Sequence, residues 1–533
     1  MSRTLVRALA LLTLSALLTL PTAAQSSAST KPTLVVFITI DQMRSDYYQR
    51  FEKQFTGGLK RLFEGGAVFS EGYQDHAITE TAPGHAAAMS GRFPVNTGIV
   101  MNSIGVNTSS APLIEAAPRE PGAAPIRFQG TTLTDWLKAS NPQTRFLSVS
   151  RKDRGAILPI GRSKGDVYWW STNGKFVTSK YYADTLPTWV KRFNDRKLGQ
   201  SYAGKTWNLL LPASAYPEVD DVAIESAGND YVFPHAVPAD TAIATSLTAG
   251  FPWMDDITLA LALAGTKELA LGATSRRTDV LAISLSTLDA IGHRFGPDSR
   301  EVHDQMLRLD RAMGVFFDSL FKLRDQQKIV VALTSDHGVM PFPTLRSKVY
   351  PNQDAKRVSI DVLWKAFVGR LADLAVDTST VFFEEGIVFS TKPESFKKAG
   401  VNADSAIAAF GAELMRVQGV LRADLFSAMA KADTTKDTIA RRWLHMFRPD
   451  GPARLAVTLT PYSYWLSTTY ATHGSPHDAD AHVPVLFYGA GVKPGRYSEF
   501  VRVVDMAPTL AEIIGVKPLE ALDGRPLRQA IRP

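Results

Sequence analysis

The chain has 533 residues, of which 45% are hydrophobic and 21% charged, an ordinary globular composition that excludes a fibrous or disordered protein. It contains no cysteine, which excludes disulfide bonds, thiolate metal ligands and a cysteine nucleophile. The net charge of +7 is spread along the chain, without the basic blocks interleaved with aromatic residues that indicate nucleic-acid binding, so we expect no nucleic-acid partner.

The first 24 residues have the pattern of a secretory signal peptide. Arg3 and Arg7 give a positive start, the apolar stretch ALALLTLSALLTL follows, and the small residues 22–24 offer a cleavage site before Gln25. The apolar stretch is shorter than the roughly 20 residues that a membrane span needs. The sequence therefore predicts an exported protein, periplasmic or secreted, without a membrane anchor.

Four apolar runs predict strands of a buried sheet. They are TLVVFITI at 33–40, DVLAISLS at 279–286, KIVVALTS at 328–335 and VPVLFYGAG at 483–491. Continuous β-branched and apolar runs are typical of strands that are buried on both faces. Amphipathic helical patterns such as the one at 299–323 lie between them. We predict an α/β fold with a mainly parallel central sheet sandwiched by helices.

Residues 25–533 are predicted to form a single catalytic domain with two inserted subdomains. Residues 105–225 are rich in Pro, Gly, Trp and Tyr and less regular in their periodicity. Residues 353–435 contain VFFEEGIVFS and a helical pattern, which together favour a small α+β subdomain.

Carboxylates and imidazoles follow three of the predicted strands. Asp41 follows the first strand, Asp289 and His293 follow the second, and Asp336 and His337 follow the third. Each such Asp is by itself most simply a turn former or a helix cap. Because ligands in open α/β sheets bind at the carboxyl ends of the strands, we expect the three groups to meet at one edge.

A histidine-rich stretch before the fourth strand adds further donors. THGSPHDADAH contains His473, His477 and His482, and the i, i+4 spacing of Asp289 and His293 places both on one helix face. A set of N and O donors without cysteine suits zinc better than manganese or magnesium. There are enough donors for two ions, which would clamp the attacking and leaving oxygens of a phosphoryl displacement.

The stretch TETAPGHAAAMSG at 79–91 offers two threonines, Thr79 and Thr81, before a helical pattern. Either residue is a helix cap or a nucleophile. A threonine hydroxyl needs a metal or a base to become a nucleophile, and a helix N-terminus also offers N–H donors to an anion.

Six motifs occur in an order that resembles the alkaline phosphatase superfamily. The chain is most similar to the threonine-nucleophile branch that PafA-type alkaline phosphatases share with nucleotide pyrophosphatase/phosphodiesterases. The motifs are DQMRSD at 41, TAPGH at 81, GIVMNS at 98, LDAIGHRFGP at 288, TSDHG at 334 and THGSP at 472.

The resemblance implies specific roles for these residues. It implies that Thr81, not Thr79, is the nucleophile, and that Asn102 donates to a phosphoryl oxygen. It also implies two zinc ions, with Asp41, Asp336, His337 and Thr81 as ligands of one and Asp289, His293 and His473 as ligands of the other. His477 and His482 match no ligand position, and we expect His85 to be structural.

A further stretch distinguishes the monoesterases of this branch from its diesterases. SVSRKDRGAILPIG at 148–161 carries Lys152 and Arg154, spaced so that both face one side of an extended segment. In PafA-type monoesterases a similar Lys-x-Arg pair contacts the non-bridging phosphate oxygens, and the diesterases of the branch lack it. Two cations favour monoesters because a monoester dianion carries one more charge than a diester.

We therefore predict a zinc-dependent alkaline phosphatase that acts on small phosphorylated substrates through a covalent phosphothreonine. One alternative is a phosphodiesterase or nucleotide pyrophosphatase of the same superfamily. The other is a non-catalytic periplasmic protein that binds metal or phosphate, which would be expected to lack a ligand or the nucleophile. The sequence assigns no physiological substrate and no oligomeric state.

Overall fold

The computed structural model describes residues 31–349, 353 and 355–533, and the predicted signal peptide lies outside these residues. Its strands, in chain order, are β1 Leu34–Ile40, β2 Ala67–Tyr73, β3 Leu113–Ile114, β4 Phe146–Ser150, β5 Asp166–Trp170, β6 Phe176–Ser179, β7 Thr206–Trp207, β8 His235–Ala236, β9 Asp279–Leu285, β10 Ile329–Thr334, β11 Arg357–Val358, β12 Val381–Glu384, β13 Ile387–Ser390, β14 Val420–Leu425, β15 Ala453–Leu459, β16 Tyr464–Trp465, β17 Val485–Gly489 and β18 Gly495–Arg502.

The α-helices connect these strands and cover the sheet. In chain order they are Tyr47–Phe51, Gly58–Gly65, Thr81–Ser90, Pro94–Thr97, Leu133–Ser140, Asp153–Ile157, Thr188–Asn194, Thr241–Leu247, Trp253–Glu268, Thr287–Phe295, Arg300–Leu323, Pro343–Val349, Asp361–Asp373, Glu394–Lys398, Ala403–Leu414, Phe426–Met429, Thr438–Leu444, Asp478–Ala481 and Met506–Ile514. Among the described residues, none of these helices combines the length and the apolar character needed to cross a membrane.

The central sheet confirms the predicted fold class. Its ten strands lie in the order β18-β2-β17-β10-β1-β9-β4-β5-β6-β3. The five middle strands, from β10 to β5, are all parallel, and antiparallel pairs occur on both sides of them. Every residue of β1, β9 and β10 is buried, as their continuous apolar runs predicted.

Side chains alternate between the two faces of the sheet along each strand. Because the middle strands carry apolar residues on both sides, both faces are apolar and helices cover both. Val36 and Ile38 of β1 pack in a core with the helices Trp253–Glu268 and Arg300–Leu323. Val35 and Phe37 point to the opposite core, which contains side chains of the helices Thr81–Ser90, Leu133–Ser140 and Met506–Ile514. The predicted helix at 299–323 is present as Arg300–Leu323, and the Ser299 side chain caps it by accepting from the Val302 N–H.

A second, antiparallel sheet has the order β12-β13-β15-β14 and its own apolar core. The helices Asp361–Asp373 and Ala403–Leu414 pack on it. Its strand β15 lies beyond residue 435, where the predicted insertion ends. The range 105–225 is more than an insertion, because β3, β4, β5 and β6 of the central sheet lie within it. The domain boundaries themselves stay a prediction.

Candidate metal and phosphate site

The Asp residues that were predicted as metal ligands lie at the ends of three adjacent strands, at one edge of the central sheet. Asp41 directly follows β1, Asp336 lies two residues after the end of β10, and Asp289 lies in the first turn of the helix after β9. Because β10, β1 and β9 are parallel neighbours, their carboxyl ends lie side by side. The side chains of Asp41, Asp289 and Asp336 are almost fully buried there.

The three predicted histidine ligands share one arrangement of their rings. Each Nδ1 lies within hydrogen-bond distance of a backbone carbonyl oxygen: His293 to Ala471 at 2.6 Å, His337 to Gly338 at 2.9 Å and His473 to Thr79 at 2.8 Å. A carbonyl only accepts, so Nδ1–H is the donor, and in the neutral ring Nε2 is left as a lone-pair donor for a metal ion. The Nε2 atoms of His293 and His473 lie 3.2 Å apart, an arrangement that a shared cation would stabilise.

The donor atoms form two overlapping groups. The ligand atoms of Asp289, His293 and His473 lie within 4.8 Å of one another, as do those of Asp41, Asp289 and His337. The first group matches the set implied by the sequence resemblance. The second contains Asp289 where Asp336 was expected, although Asp336 Oδ2 lies 3.6 Å from His337 Nε2.

These residues suit a metal ion. Within the described part of the chain, neither buried carboxylate oxygen of Asp41 accepts a hydrogen bond, although Lys152 Nζ forms an ion pair with Oδ2. Buried carboxylate oxygens without hydrogen bonds are costly unless a cation neutralises them. Carboxylates and imidazoles without thiolates are the donor set of a hydrolytic zinc site. Identity and number of the ions stay predictions.

The electrostatics of the group reflect its burial. Burial and repulsion from Asp289 raise the pKa of Asp41 to about 6, although Lys152 opposes the shift. Burial also acts to raise the pKa of Asp289, but Lys152 and other cationic neighbours outweigh it and hold this pKa well below its ordinary value. Burial holds the pKa of His473 well below its ordinary value, so the ring is neutral, the form in which imidazole binds metals.

Thr81 is the first residue of the helix Thr81–Ser90, and its side chain is buried beside the acidic group. Its Oγ1 lies 3.5 Å from His337 Nε2 and accepts a hydrogen bond of 3.2 Å from Lys152 Nζ. The hydroxyl of Thr79 instead donates to the carbonyl of Ser475 at 3.0 Å. Of the two threonines, Thr81 has the hydroxyl that contacts the candidate metal and phosphate site.

Asn102 lies against the same helix start. Its side-chain Oδ1 accepts a hydrogen bond of 2.9 Å from the Ala82 N–H, and the backbone N–H of Asn102 donates to Glu80 Oε2 at 2.6 Å. Because the amide oxygen is occupied, the NH₂ end of the side chain is the end that remains for a ligand. This orientation suits the expected donor role.

Lys152 and Arg154 do not share an extended segment, so that expectation was wrong. Lys152 is extended, but Arg154 lies in the short helix Asp153–Ile157, in which the Arg154 N–H donates to Asp153 Oδ1. Lys152 Nζ lies 2.7 Å from both Asp41 and Asp289 carboxylates. Arg154 is partly exposed and forms an ion pair with Asp153 at 3.7 Å.

Two residues near the site were not identified from the sequence. Gln42 donates through its side chain to Asp289 at 3.0 Å and through its backbone to Asp336 at 3.1 Å. Its φ of 69° is rare for a non-glycine residue and indicates strain of about 1–3 kcal/mol. Arg151 Nη2 lies 3.7 Å from Asp289 Oδ2. The only sequence signal for Gln42 is that it follows Asp41, and the only one for Arg151 is that it precedes Lys152.

His85 also contacts the site rather than only the helix core. Its Nδ1 lies 2.9 Å from the Thr81 carbonyl oxygen and 3.1 Å from Asp336 Oδ2, and Nε2 lies 2.9 Å from Ser284 Oγ. His85 therefore positions Thr81 relative to Asp336.

The other two histidines of the stretch at 472–482 lie against backbone carbonyls. His477 Nε2 is 2.8 Å from the Leu459 oxygen, and His482 Nε2 is 2.7 Å from the Ser70 oxygen. These contacts support loops and bring neither ring into the two groups of donor atoms.

The glycine of TAPGH allows a close approach. A Cβ at Gly84 would lie 2.3 Å from the Asp336 carbonyl oxygen, so only glycine lets the helix Thr81–Ser90 pack this closely against the end of β10. We expect Gly84→Ala to displace Thr81 from the acidic group and to lower kcat/KM for a phosphate monoester by about 10²-fold, the scale of a 1 Å misplacement.

The matched control is Gly369→Ala, because a Cβ there meets nothing within 4 Å. Alanine in a helix interior is favoured over glycine by about 1 kcal/mol, so this variant should keep its activity and its thermal stability. An unchanged kcat/KM in Gly84→Ala would contradict the packing argument.

Comparison with known proteins agrees with this geometry. The family model described as Type I phosphodiesterase / nucleotide pyrophosphatase matches residues 35–397. The chain belongs to this family. It is 31% identical to alkaline phosphatase PhoV of Synechococcus elongatus over 91% of this chain and 90% of that protein. It is 32% identical to alkaline phosphatase PhoK of a Sphingomonas species, over 94% and 92% of the two chains.

Solved structures agree with the fold. The crystal structure of wild-type alkaline phosphatase PafA has a TM-score of 0.85 at 25% identity and covers 94% of this chain and 99% of its own. A murine ectonucleotide pyrophosphatase/phosphodiesterase 5 structure, with a TM-score of 0.52 at 13% identity, shares the fold. The recognition of the alkaline phosphatase superfamily from the motifs is confirmed, as is the prediction that the chain is an enzyme.

Proposed function

We propose that the protein is a zinc-dependent phosphate monoester hydrolase, an alkaline phosphatase that acts through a covalent phosphothreonine on Thr81. Similarity to PhoV and PhoK over nearly the whole chain supports the monoesterase activity. The complete set of nucleophile and candidate ligands argues against a non-catalytic binding protein.

The observation that carries the proposal is the position of Lys152. Its Nζ donates to Thr81 Oγ1 at 3.2 Å and lies 2.7 Å from carboxylates of Asp41 and Asp289. A fixed ammonium group beside the reacting hydroxyl is well placed to bind the non-bridging oxygens of a phosphate. This extra charge favours the monoester dianion over a diester monoanion.

In the proposed first step, Thr81 Oγ attacks phosphorus and its proton passes to solvent, the bond from phosphorus to the ester oxygen breaks, and the leaving oxygen takes up a proton from solvent and departs as the alcohol. Lys152, Arg154 and the NH₂ group of Asn102 hold the three non-bridging oxygens. In the second step water attacks the phosphothreonine, inorganic phosphate leaves, and the Thr81 hydroxyl is restored.

Two zinc ions would supply Lewis acidity toward the nucleophile and the leaving oxygen. The residues that would hold them are Asp41, Asp289, His293, Asp336, His337 and His473, together with Thr81. The chain itself orients the site. Gln42 and His85 hold Asp289 and Asp336, and the carbonyls at the Nδ1 atoms hold the imidazoles in place.

The description of the matched family favours a second candidate, a phosphodiesterase or nucleotide pyrophosphatase. The deciding experiment compares kcat/KM for p-nitrophenyl phosphate and bis-p-nitrophenyl phosphate on the zinc-loaded protein. The proposal expects the monoester to be preferred. A preference for the diester would make the second candidate the better assignment.

Lys152 and Arg154 are expected to set this preference. Lys152→Ala with Arg154→Ala should lower kcat/KM for the monoester by about 10²-fold or more, the scale of losing a preorganised charged donor. The diester carries less charge on its non-bridging oxygens and should lose less. Both constants are to be measured on the same preparation.

The exposed Lys436→Ala is the control for a change in net charge, since this side chain is 86% exposed. It should leave both constants unchanged. Equal losses on monoester and diester in the double variant would mean that the pair supports the general phosphate site without selecting monoesters.

We also propose that the protein is exported to the periplasm or secreted, acts on small phosphorylated substrates and has no nucleic-acid partner. The export proposal rests on residues 1–24 alone.

A further inference from the structure

A cavity of about 570 Å³ connects the candidate metal site with the second sheet. His293 and His473 line one end of it, next to Glu80. Phe383 of β12 and Trp465 of β16 line the other end. The cavity therefore extends from the reacting centre toward a part of the fold that contributes none of the proposed ligands, and its volume suits the alcohol portion of a small substrate.

Aromatic rings gather at the end of the cavity away from the histidines. The ring centroids of Trp364 and Phe383 lie 5.8 Å apart at 45°, and those of Phe383 and Trp465 lie 5.3 Å apart at 86°. All three side chains are only partly buried, so they keep surface for a ligand. Non-parallel rings around an open space offer their negative faces to a cation.

The charge of the lining has one sign. Glu80, Glu384, Glu385 and Asp361 line the cavity, and no Lys or Arg does so in the part of the chain that the structure describes. This acidic lining contrasts with the net charge of +7 for the whole chain.

The two sides of the site thus differ in charge. Lys152, beside Thr81, supplies the positive charge for the phosphoryl group, and the cavity supplies negative charge and aromatic faces. We propose that the cavity binds the alcohol portion of the substrate and selects phosphate monoesters whose alcohol carries a quaternary ammonium group. This inference rests on the proposed function and deepens it by naming the substrate class.

The lining distinguishes this class from other leaving groups. An alcohol that carries further phosphates would be repelled by the carboxylates. A neutral planar ring would stack on the aromatic residues but would gain nothing from Glu384 and Glu385. Only an apolar cation combines attraction to the aromatic faces with attraction to the carboxylates.

The test compares phosphocholine with 3,3-dimethylbutyl phosphate, its neutral isostere, on the zinc-loaded protein. We expect kcat/KM to be about 10-fold higher for phosphocholine, the scale of desolvated cation–π contacts. Glu385→Gln, and separately Phe383→Leu, should reduce this ratio several-fold. Glu394→Gln, an exposed carboxylate of the same region that does not line the cavity, should leave the ratio unchanged.

Choline binding gives a readout that does not depend on turnover. Titration with choline should change the tryptophan fluorescence saturably, and Glu385→Gln should weaken the binding several-fold. Absence of saturable binding, or binding that is insensitive to Glu385→Gln, would overturn the inference. Equal kcat/KM for the two esters would overturn it as well, and the proposed phosphatase activity would stand.

A preference for adenosine 5′-monophosphate that survives Glu385→Gln would also overturn the inference, because it would indicate ring stacking without charge recognition. If no monoester is hydrolysed, the proposed function fails. Choline binding then still decides whether the cavity recognises ammonium groups.

Discussion

Thr81→Ala is expected to reduce the turnover of p-nitrophenyl phosphate by about 10³-fold or more, as the loss of a covalent nucleophile does in other hydrolases. The Thr81 hydroxyl contacts Lys152 and lies 3.5 Å from His337, so the substitution removes the proposed attacking oxygen at the point where the donors converge. The removed side chain is small, and zinc content should stay near native. The measurement is kcat with metal analysis of the same sample.

Thr79→Ala is the matched control. Its hydroxyl donates to the Ser475 carbonyl, so its loss should cost only about 1 kcal/mol of stability and leave most of the activity. Acid quenching of the wild-type enzyme during turnover should trap phosphate on the peptide that contains Thr81. An inactive Thr79→Ala variant beside an active Thr81→Ala variant would contradict the assignment of the nucleophile.

Metal removal is expected to reduce the turnover of p-nitrophenyl phosphate by a factor similar to that of Thr81→Ala. Elemental analysis should return about two zinc ions per chain, and a chelator should abolish activity reversibly. Asp41 has two buried oxygens without a hydrogen bond within the described residues, so zinc should also stabilise the folded state. The midpoint of thermal unfolding should therefore fall on chelation and recover when zinc is added.

Single variants separate the two proposed ions. His473→Ala should lose the ion that Asp289 and His293 share with it, and Asp41→Asn should weaken the other. Asp318→Asn, a 60% exposed carboxylate on the surface, should keep both ions and full activity. One ion per chain in the fully active wild-type enzyme would disprove the two-zinc proposal.

Local patterns predicted those parts of the fold that depend on neighbours along the chain. The apolar runs at 33–40, 279–286 and 328–335 predicted β1, β9 and β10, because a strand buried on both faces needs apolar side chains at every position. The role of Gln42 was not predicted. It depends on a φ of 69° and on contacts with residues 247 and 294 positions away, which no local pattern encodes.

The sequence by itself determined the residue types available for chemistry: no thiol, carboxylates and imidazoles after three buried strands, and threonines before a helical pattern with a glycine. The tertiary structure decided the neighbours of these residues. The order β10-β1-β9-β4 brings four strand ends together, and packing chooses which ring nitrogen of each histidine faces the site. It also brings Phe383 and Trp465 to the cavity that His293 lines at its other end. Periodicity acts over a few residues, whereas these contacts form only when distant segments bury their apolar faces together.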